Sequence, residues 1–245
     1  MNPPPRQTSG PRQNQLLAAL PDAEWDRWQQ SLERVELAFG QVLCESGRTP
    51  AHVYFPTTAI VSLLCMTQDG ASAEIAVVGN DGVVGVSLFM GGNATPSRSV
   101  VQSEGQAYRL RAQAVKNEID RAGAVLGMLL RYVNTMIAQV AQTAACNRHH
   151  SIDQQLCRRL LLGLDRSASD ELKMTQELAA NLLGVRREGV NAAAHKLQRA
   201  GVIRYSRGHI AVLNRQRLEE RTCECYSVAK KAYHRLLPTP ALLAS

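Results

Sequence analysis

The chain has 245 residues, of which 45% are hydrophobic and only 4% aromatic, with a formal net charge of +7. That length fits two domains with cores of Leu, Val, Ile and Ala. It offers no run of the ~20 apolar residues that span a bilayer and no apolar signal-peptide core after Met1-Asn-Pro-Pro-Pro-Arg, so a cytoplasmic protein without membrane contact is expected. The charge is uneven: residues 148–245 hold 17 Lys+Arg against 9 Asp+Glu, whereas residues 1–147 hold 11 against 12. A basic C-terminal part is either a solvated surface or the footprint of a partner rich in phosphate.

Residues 1–15 are rich in Pro, Gln, Asn and Arg, the composition of a disordered arm. A short helix is predicted over about 16–33, anchored by Leu16, Leu17, Leu20, Trp25 and Trp28, with Pro21-Asp22 opening its second turn. From about 35 to 110 the period becomes two. Val35, Leu37 and Phe39 alternate with polar residues, Val53-Tyr54-Phe55 ends at Pro56, and Ile60 to Met66 is apolar except for Ser62. Gln68-Asp69-Gly70-Ala71 then predicts a hairpin turn with positive φ at both central residues. Further strands are predicted over Ala73–Val78, Ser99–Val101 and Ala107–Leu110, with Gly79-Asn80-Asp81-Gly82 as a turn between. Many short strands at regular spacing suit a small antiparallel sandwich or barrel.

After Leu110 the pattern is helical. Leu126, Leu130, Val133, Ile137, Val140 and Ala144 recur at spacings of 4, 3, 4, 3 and 4, an a/d seam of about two and a half heptads. The chain's own β-domain could bury it, and Leu129 and Met136 widen the stripe in that direction. A helix that joins two domains favours the other partner, the same helix of a second copy. A following helix is predicted over about Ser151–Leu164, capped by Ser151, with Leu156, Leu160 and Leu161 inside and Arg158 and Arg159 on its polar side.

The stretch from Thr175 to Leu197 carries the function. Thr175 is a capping residue, and Leu178, Ala179 and Leu182 share a face. Gly184 stands where a left-handed C-cap ends a helix. Val185 fills the turn, and Val190, Ala194 and Leu197 continue the apolar face on a second helix. This is the grammar of a helix-turn-helix. Ile203 and Tyr205, then Ile210 and Val212, alternate around Ser206-Arg207-Gly208-His209, which predicts a β-wing with a basic tip. A helical hairpin followed by a β-hairpin without nucleic-acid contact is the plain alternative. The local charge favours double-stranded DNA as the partner. The DNA-facing set is then Thr175, Gln176, Arg186, Arg187, Glu188, Asn191, Ala192, His195, Lys196 and Arg207. Arginine can bond guanine bidentately, glutamate can accept from cytosine, and asparagine can pair with adenine. His195, Lys196 and Arg207 suit the backbone.

These residues resemble the Crp/Fnr family of bacterial transcriptional regulators over about Leu16 to Glu220. The match is most specific at Thr175-Gln-Glu-Leu-Ala, Gly184-Val-Arg-Arg-Glu-Gly-Val190 and Arg207-Gly208-His-Ile. Val53-Tyr-Phe, Gly79-Asn-Asp-Gly82, Gly85 and Leu88-Phe89 also fall at family-like places. The resemblance implies an α+β chain: an N-terminal antiparallel β-roll of the cyclic-nucleotide-binding jelly-roll type, a long dimerisation helix and a C-terminal winged helix-turn-helix. The expected divisions are an arm over 1–15, a sensory β-roll over 16–120, a dimerisation helix over 121–149, the winged domain over 150–220 and a tail over 221–245.

A bacterial, non-enzymatic, homodimeric regulator is implied, with RNA polymerase as a further partner. Three departures matter. The family's founding member has a further Arg one turn along the recognition helix, where this chain has Ala192, so its target should differ. The nucleotide-binding members carry Gly-Glu where this chain has Gly85-Val86. Arg98-Ser99 resembles their phosphate-binding pair, so Gly85, Arg98 and Ser99 are the candidate effector residues, but ordinary cyclic-AMP binding is not expected. The iron–sulfur members use N-terminal cysteines, and residues 1–34 have none, so no cluster is expected. The six cysteines, Cys44, Cys65, Cys146, Cys157, Cys223 and Cys225, are scattered. They read as reduced thiols rather than a disulfide framework. Cys223-x-Cys225 with Cys157 and His149-His150 matches no standard zinc spacing, and no metal site is expected. A ligand-sensing module without specific DNA readout is the competing function.

Overall fold

The computed structural model describes residues 10–92, 94–167 and 169–236. Residues 1–9 of the expected arm lie outside the described residues, and so do residues 237–245 of the tail. Residues 10–15 are ordered, which corrects their assignment to the arm. After a 3₁₀ turn at Pro11–Gln13, Asn14 caps α1 (Gln15–Ala18) by accepting from the Leu16 and Leu17 N–H groups at 3.1 and 3.3 Å. Its amide donates to the carbonyls of Pro56 and Gly82 at 2.9 and 2.8 Å. A buried amide with every bond made ties this segment down. The helix predicted over 16–33 is broken: α2 (Asp22–Gln29) starts afresh with Pro21 at its N-cap.

Seven strands follow: β1 (Glu33–Leu37), β2 (Val42–Cys44), β3 (His52–Pro56), β4 (Ile60–Met66), β5 (Ser72–Val78), β6 (Arg98–Ser103) and β7 (Gly105–Arg111). They form two antiparallel sheets, ordered β1-β7-β3 and β2-β6-β4-β5. Val53, Phe55, Val61, Leu63, Ala76, Val78 and Leu110 fill the space between them, with Trp28 of α2 lying 5.8 Å from the Phe55 ring. The apolar run of β4 has a structural reason. Val61 and Leu63 face the sandwich, while Ile60, with Val77 of β5, joins the core of the C-terminal part. A strand covered on both faces reads as continuous rather than alternating. The Asp69-Gly70 turn is not the two-residue hairpin expected, since only Gly70 has positive φ (86°). Thr67 and Ala71 close a longer loop with a backbone bond of 2.9 Å.

Beyond α3 (Ala112–Asp120), the long helix α4 spans Ala124–His149. By length and composition it could cross a bilayer, with a mean hydropathy of 1.3 over its best window, contrary to the expectation that no segment qualifies. Its inner face is committed to the β-roll, where Val125, Met128, Leu129, Tyr132 and Met136 join the sandwich core. The predicted seam therefore divides. Val133 is buried and Leu126 and Val140 half-buried, whereas Leu130 and Ile137 stay 51% and 57% exposed, with Ala144 exposed one heptad on.

The C-terminal part begins at α5 (Ile152–Leu164), opened by a capping box between Ser151 and Gln154. It continues through β8 (Glu171–Lys173), α6 (Gln176–Leu183), α7 (Arg187–Arg199), β9 (Ile203–Ser206), β10 (His209–Val212), α8 (Arg215–Glu219) and α9 (Cys225–Leu236). Its sheet has the order β8-β10-β9. Arg158 and Arg159, read as the polar side of their helix, are 6% and 3% exposed. They face the junction with the N-terminal part. Arg159 pairs with buried Glu74 of β5 at 2.6 Å and bonds Gln102 of β6, and Ser62 donates to the same carboxylate at 2.5 Å. Arg158 donates to Thr143 of α4 at 2.8 Å. Arg166 pairs with Asp81 at 2.6 Å. Gly79 and Gly82 flank Asp81 because a β-carbon at Gly79 would overlap Arg166, and one at Gly82 would overlap the Tyr132 phenol.

Candidate nucleic-acid interface

The helix-turn-helix is built as its sequence dictates. Thr175 caps α6 by accepting from the Leu178 N–H at 3.0 Å. Gly184 ends it in the left-handed region (φ 65°, ψ 34°), where a side chain would be strained. Val185 is half-buried in the turn, and Val190, Ala193, Ala194 and Leu197 bury the inner face of α7. The helix passes close over α5 at Gly189, where a β-carbon would sit 2.6 Å from Ile152 Cδ1. The wing turns through Arg207 (φ 50°) and Gly208 (φ 80°), the double positive-φ hairpin geometry that follows strand twist.

At roughly 100° per residue, the buried positions 190, 193, 194 and 197 leave the opposite face of α7 to solvent. On it stand Glu188, Ala192, His195 and Arg199, all exposed. Arg187 lies at the edge toward the wing. A depression of about 450 Å³ runs between α7 and the wing, lined by Thr175, Gln176, Arg187, His195, Tyr205 and Arg207 among others. Burial raises the Tyr205 phenol above its ordinary range, with the Arg187 charge opposing. Among the described residues no carboxylate pairs with Arg186, Arg187 or Arg207 within 4.0 Å, and all three are exposed.

Three members of the predicted set, Gln176, Asn191 and Lys196, are engaged within the chain. Asn191 is half-buried and accepts from Gln176 at 2.8 Å, which fixes α6 to α7. Lys196 lies on the far flank and bonds Asp153 of α5 at 2.8 Å. Each of the three effector candidates already has contacts within the β-roll. Gly85 (φ 105°) packs on the β3 backbone, where a β-carbon would meet the His52 carbonyl and Val53 at 3.2 Å. Ser99 is buried in the β6 ladder opposite Leu63 and Cys44. Arg98 beside it faces Glu45 at 3.0 Å.

A β-roll joined through one long helix to a winged helix-turn-helix with an exposed basic face defines a two-domain class of DNA-binding regulator. The comparisons agree with the geometry. A cyclic nucleotide-binding domain matches residues 34–122, and a Crp-like helix-turn-helix domain matches residues 154–221. The chain belongs to the Crp/Fnr family of transcriptional regulators. No curated protein sequence matches it. Solved structures share the fold. FixK2 from Bradyrhizobium japonicum is 15% identical with a TM-score of 0.67, covering 78% of this chain and 98% of its own. A CRP-family transcriptional regulator from Thermus thermophilus is 19% identical (TM-score 0.63, 77% and 95%). The c-di-GMP responsive global regulator CLP of Xanthomonas campestris is 15% identical (TM-score 0.59, 78% and 99%).

Proposed function

We propose that this protein is a cytoplasmic homodimer that reads a near-palindromic DNA site with α7 and is regulated through its β-roll. The observation that carries this reading is the uncommitted basic face of α7 and the wing. Arg158, Arg159, Arg166 and Arg215 of the same half are instead bonded within the chain. Arg187 and Glu188, at the start of α7, are the base readers. Arg186, His195 and Arg207 contact phosphates, Thr175 and Gln176 frame the helix beside the backbone, and Asn191 holds Gln176 in place. Ala192 offers only a methyl group, which suits a thymine contact. Lys196 reaches a phosphate only after leaving Asp153.

The second copy docks on the residual seam of α4. Leu130, Ile137 and Ala144 recur every seven residues on the face away from the β-roll, with Leu126 and Val140 beside them and Val133 beneath. A two-fold axis there sets two recognition helices about 34 Å apart, one helical turn of DNA. RNA polymerase is the further partner for a regulator of this kind. The β-roll biases the dimer through the Glu74–Arg159 and Asp81–Arg166 pairs, which bind it to the winged domain. An anionic effector beside Gly85, Arg98 and Ser99 would have to displace Glu45 from Arg98.

Selection from random-sequence duplexes, followed by binding across a salt series, tests the proposal. The expected result is an enriched inverted repeat whose half-sites lie one turn apart, and binding that falls steeply with salt. Enrichment of a single half-site would remove the dimer. Indifference to duplexes at low salt would remove the DNA reading in favour of a ligand-sensing module.

A further inference from the structure

Apart from the two main cores, the fold buries a third cluster made solely of thiols: Cys146, Cys223 and Cys225. With His150 they place four ligand atoms within 4.8 Å of one another. Cys146 Sγ lies 3.5 Å from Cys223 Sγ, and Cys225 Sγ lies 3.4 Å from His150 Nδ1. The set differs from the one weighed in the sequence. Cys146 replaces Cys157, whose thiol is packed into the C-terminal core and pushed up to about 12 by burial. His150 belongs to it, while its neighbour His149 is exposed.

We propose that Cys146, His150, Cys223 and Cys225 form a structural zinc site that fastens the C-terminal helix to the hinge between α4 and α5. The geometry fits the ion. Bonds of about 2.3 Å to sulfur and 2.0–2.1 Å to nitrogen in a tetrahedron put ligand atoms roughly 3.5–3.8 Å apart, close to the Cys146–Cys223 and Cys225–His150 separations of 3.5 and 3.4 Å. Three soft thiolates and one imidazole select a zinc-like ion over magnesium or calcium. Four protein ligands leave no open position, which makes the site structural rather than catalytic.

The surroundings are those of a ligand set rather than of a plain core. Glu224 stands 3.4 Å from His150 Nε2, on the side away from the sulfurs. That carboxylate–imidazole arrangement orients metal-bound histidines. Gln142 Nε2 donates to Cys225 Sγ at 3.0 Å and holds that sulfur in place.

The position gives the site its consequence. Cys146 and His150 stand at i and i+4 at the end of α4, and His150 is also the residue before the Ser151 cap of α5. Cys223 and Cys225 stand at the start of α9, which returns along α4 until Tyr233 bonds the Asp81 carbonyl and Gln15. One ion there fixes the angle between the dimerisation helix and the winged domain. It also anchors the helix that touches the Asp81 turn of the β-roll.

Titration of the reduced full-length protein with Co²⁺ alone, then with Zn²⁺, tests this. The expected result is one Co²⁺ per chain with the intense visible bands and sulfur-to-cobalt charge transfer of a tetrahedral thiolate site, bleached by Zn²⁺. X-ray absorption of the zinc form should show three sulfur scatterers and one nitrogen. C223S and C225S should lose these bands, and C65S should keep them. The wild-type titration decides the matter even if a variant fails to fold. A spectrum of hydrated cobalt only, bands that persist in both C223S and C225S, or a Cys146–Cys223 disulfide in protein that takes up no metal would each overturn the site.

Discussion

Arginine does opposite work in two regions of this molecule. On α7 and the wing, Arg186, Arg187 and Arg207 stand in solvent, and among the described residues no carboxylate meets them. At the junction between the β-roll and the winged domain, Arg158 and Arg159 are buried, and Arg159 and the largely covered Arg166 meet carboxylates at 2.6 Å. Burial pulls the Arg159 guanidinium below its usual value and Glu74 pushes it back, so this charge is held by its partner rather than by water. Charge alone does not make a binding face. An arginine is available to an external phosphate only where the fold sets nothing acidic opposite it, and the same residue type becomes an internal strut where it does.

If that contrast is right, the largest effect follows from breaking the strut. Glu74→Ala leaves a buried guanidinium without its countercharge, and chemical denaturation should show a loss of about 3–5 kcal/mol. Replacing Glu74 and Arg159 together by apolar residues of similar volume should restore most of it. A single variant as stable as the wild type would mean the pair is not buried in solution. Next comes the open face. Arg187→Ala should cost about 1–3 kcal/mol in specific binding and relax base preference at one position, while folding stability moves by less than about 0.5 kcal/mol. Retained sequence preference in competition assays would take Arg187 out of the readout.

Arg207→Ala should do less. It should weaken binding to all sequences alike and lower the salt slope by about 1; a change confined to one sequence would make the wing a base reader. The smallest effect belongs to Arg27 and Glu118, an ion pair at 2.7 Å on the rim of the β-roll. Hydrogen bonds from Arg27 hold the Glu118 carboxyl below its ordinary range. The pair's contribution is therefore complete above the usual glutamate value of about 4.3 and disappears as pH falls through the lowered one. Stability curves of wild type and Arg27→Met should converge on acidification, and a gap independent of pH would rule the coupling out.

Much of the winged domain was legible because its signals are local. Thr175, Ser151, Gly184 and the Arg207-Gly208 tip each fix a cap or turn through atoms a few residues away, and each does so in the structure. Six of the seven β-roll strands described were legible for the same reason, through apolar runs, alternation and turn glycines, whereas the three-residue β2 was too short to show a period. Errors began where a local signal was asked for a distant answer. Pro21 split a helix that its apolar anchors made continuous, and Asn14 turned part of an apparent arm into a clamp. The α4 heptad was read as one seam, although Val133 and Val140 pack on the chain's own β-roll core.

Residue order by itself determined most of the elements, their caps and the side chains that α7 carries, because helix periods and turn geometry are set over fewer than ten residues. Only the tertiary structure decided what those elements face. It set Glu74 against Arg159, 85 positions apart, and brought Cys146 to Cys223 across 77. Burial and electrostatic pairing depend on which surfaces dock, and no spacing along the chain encodes that.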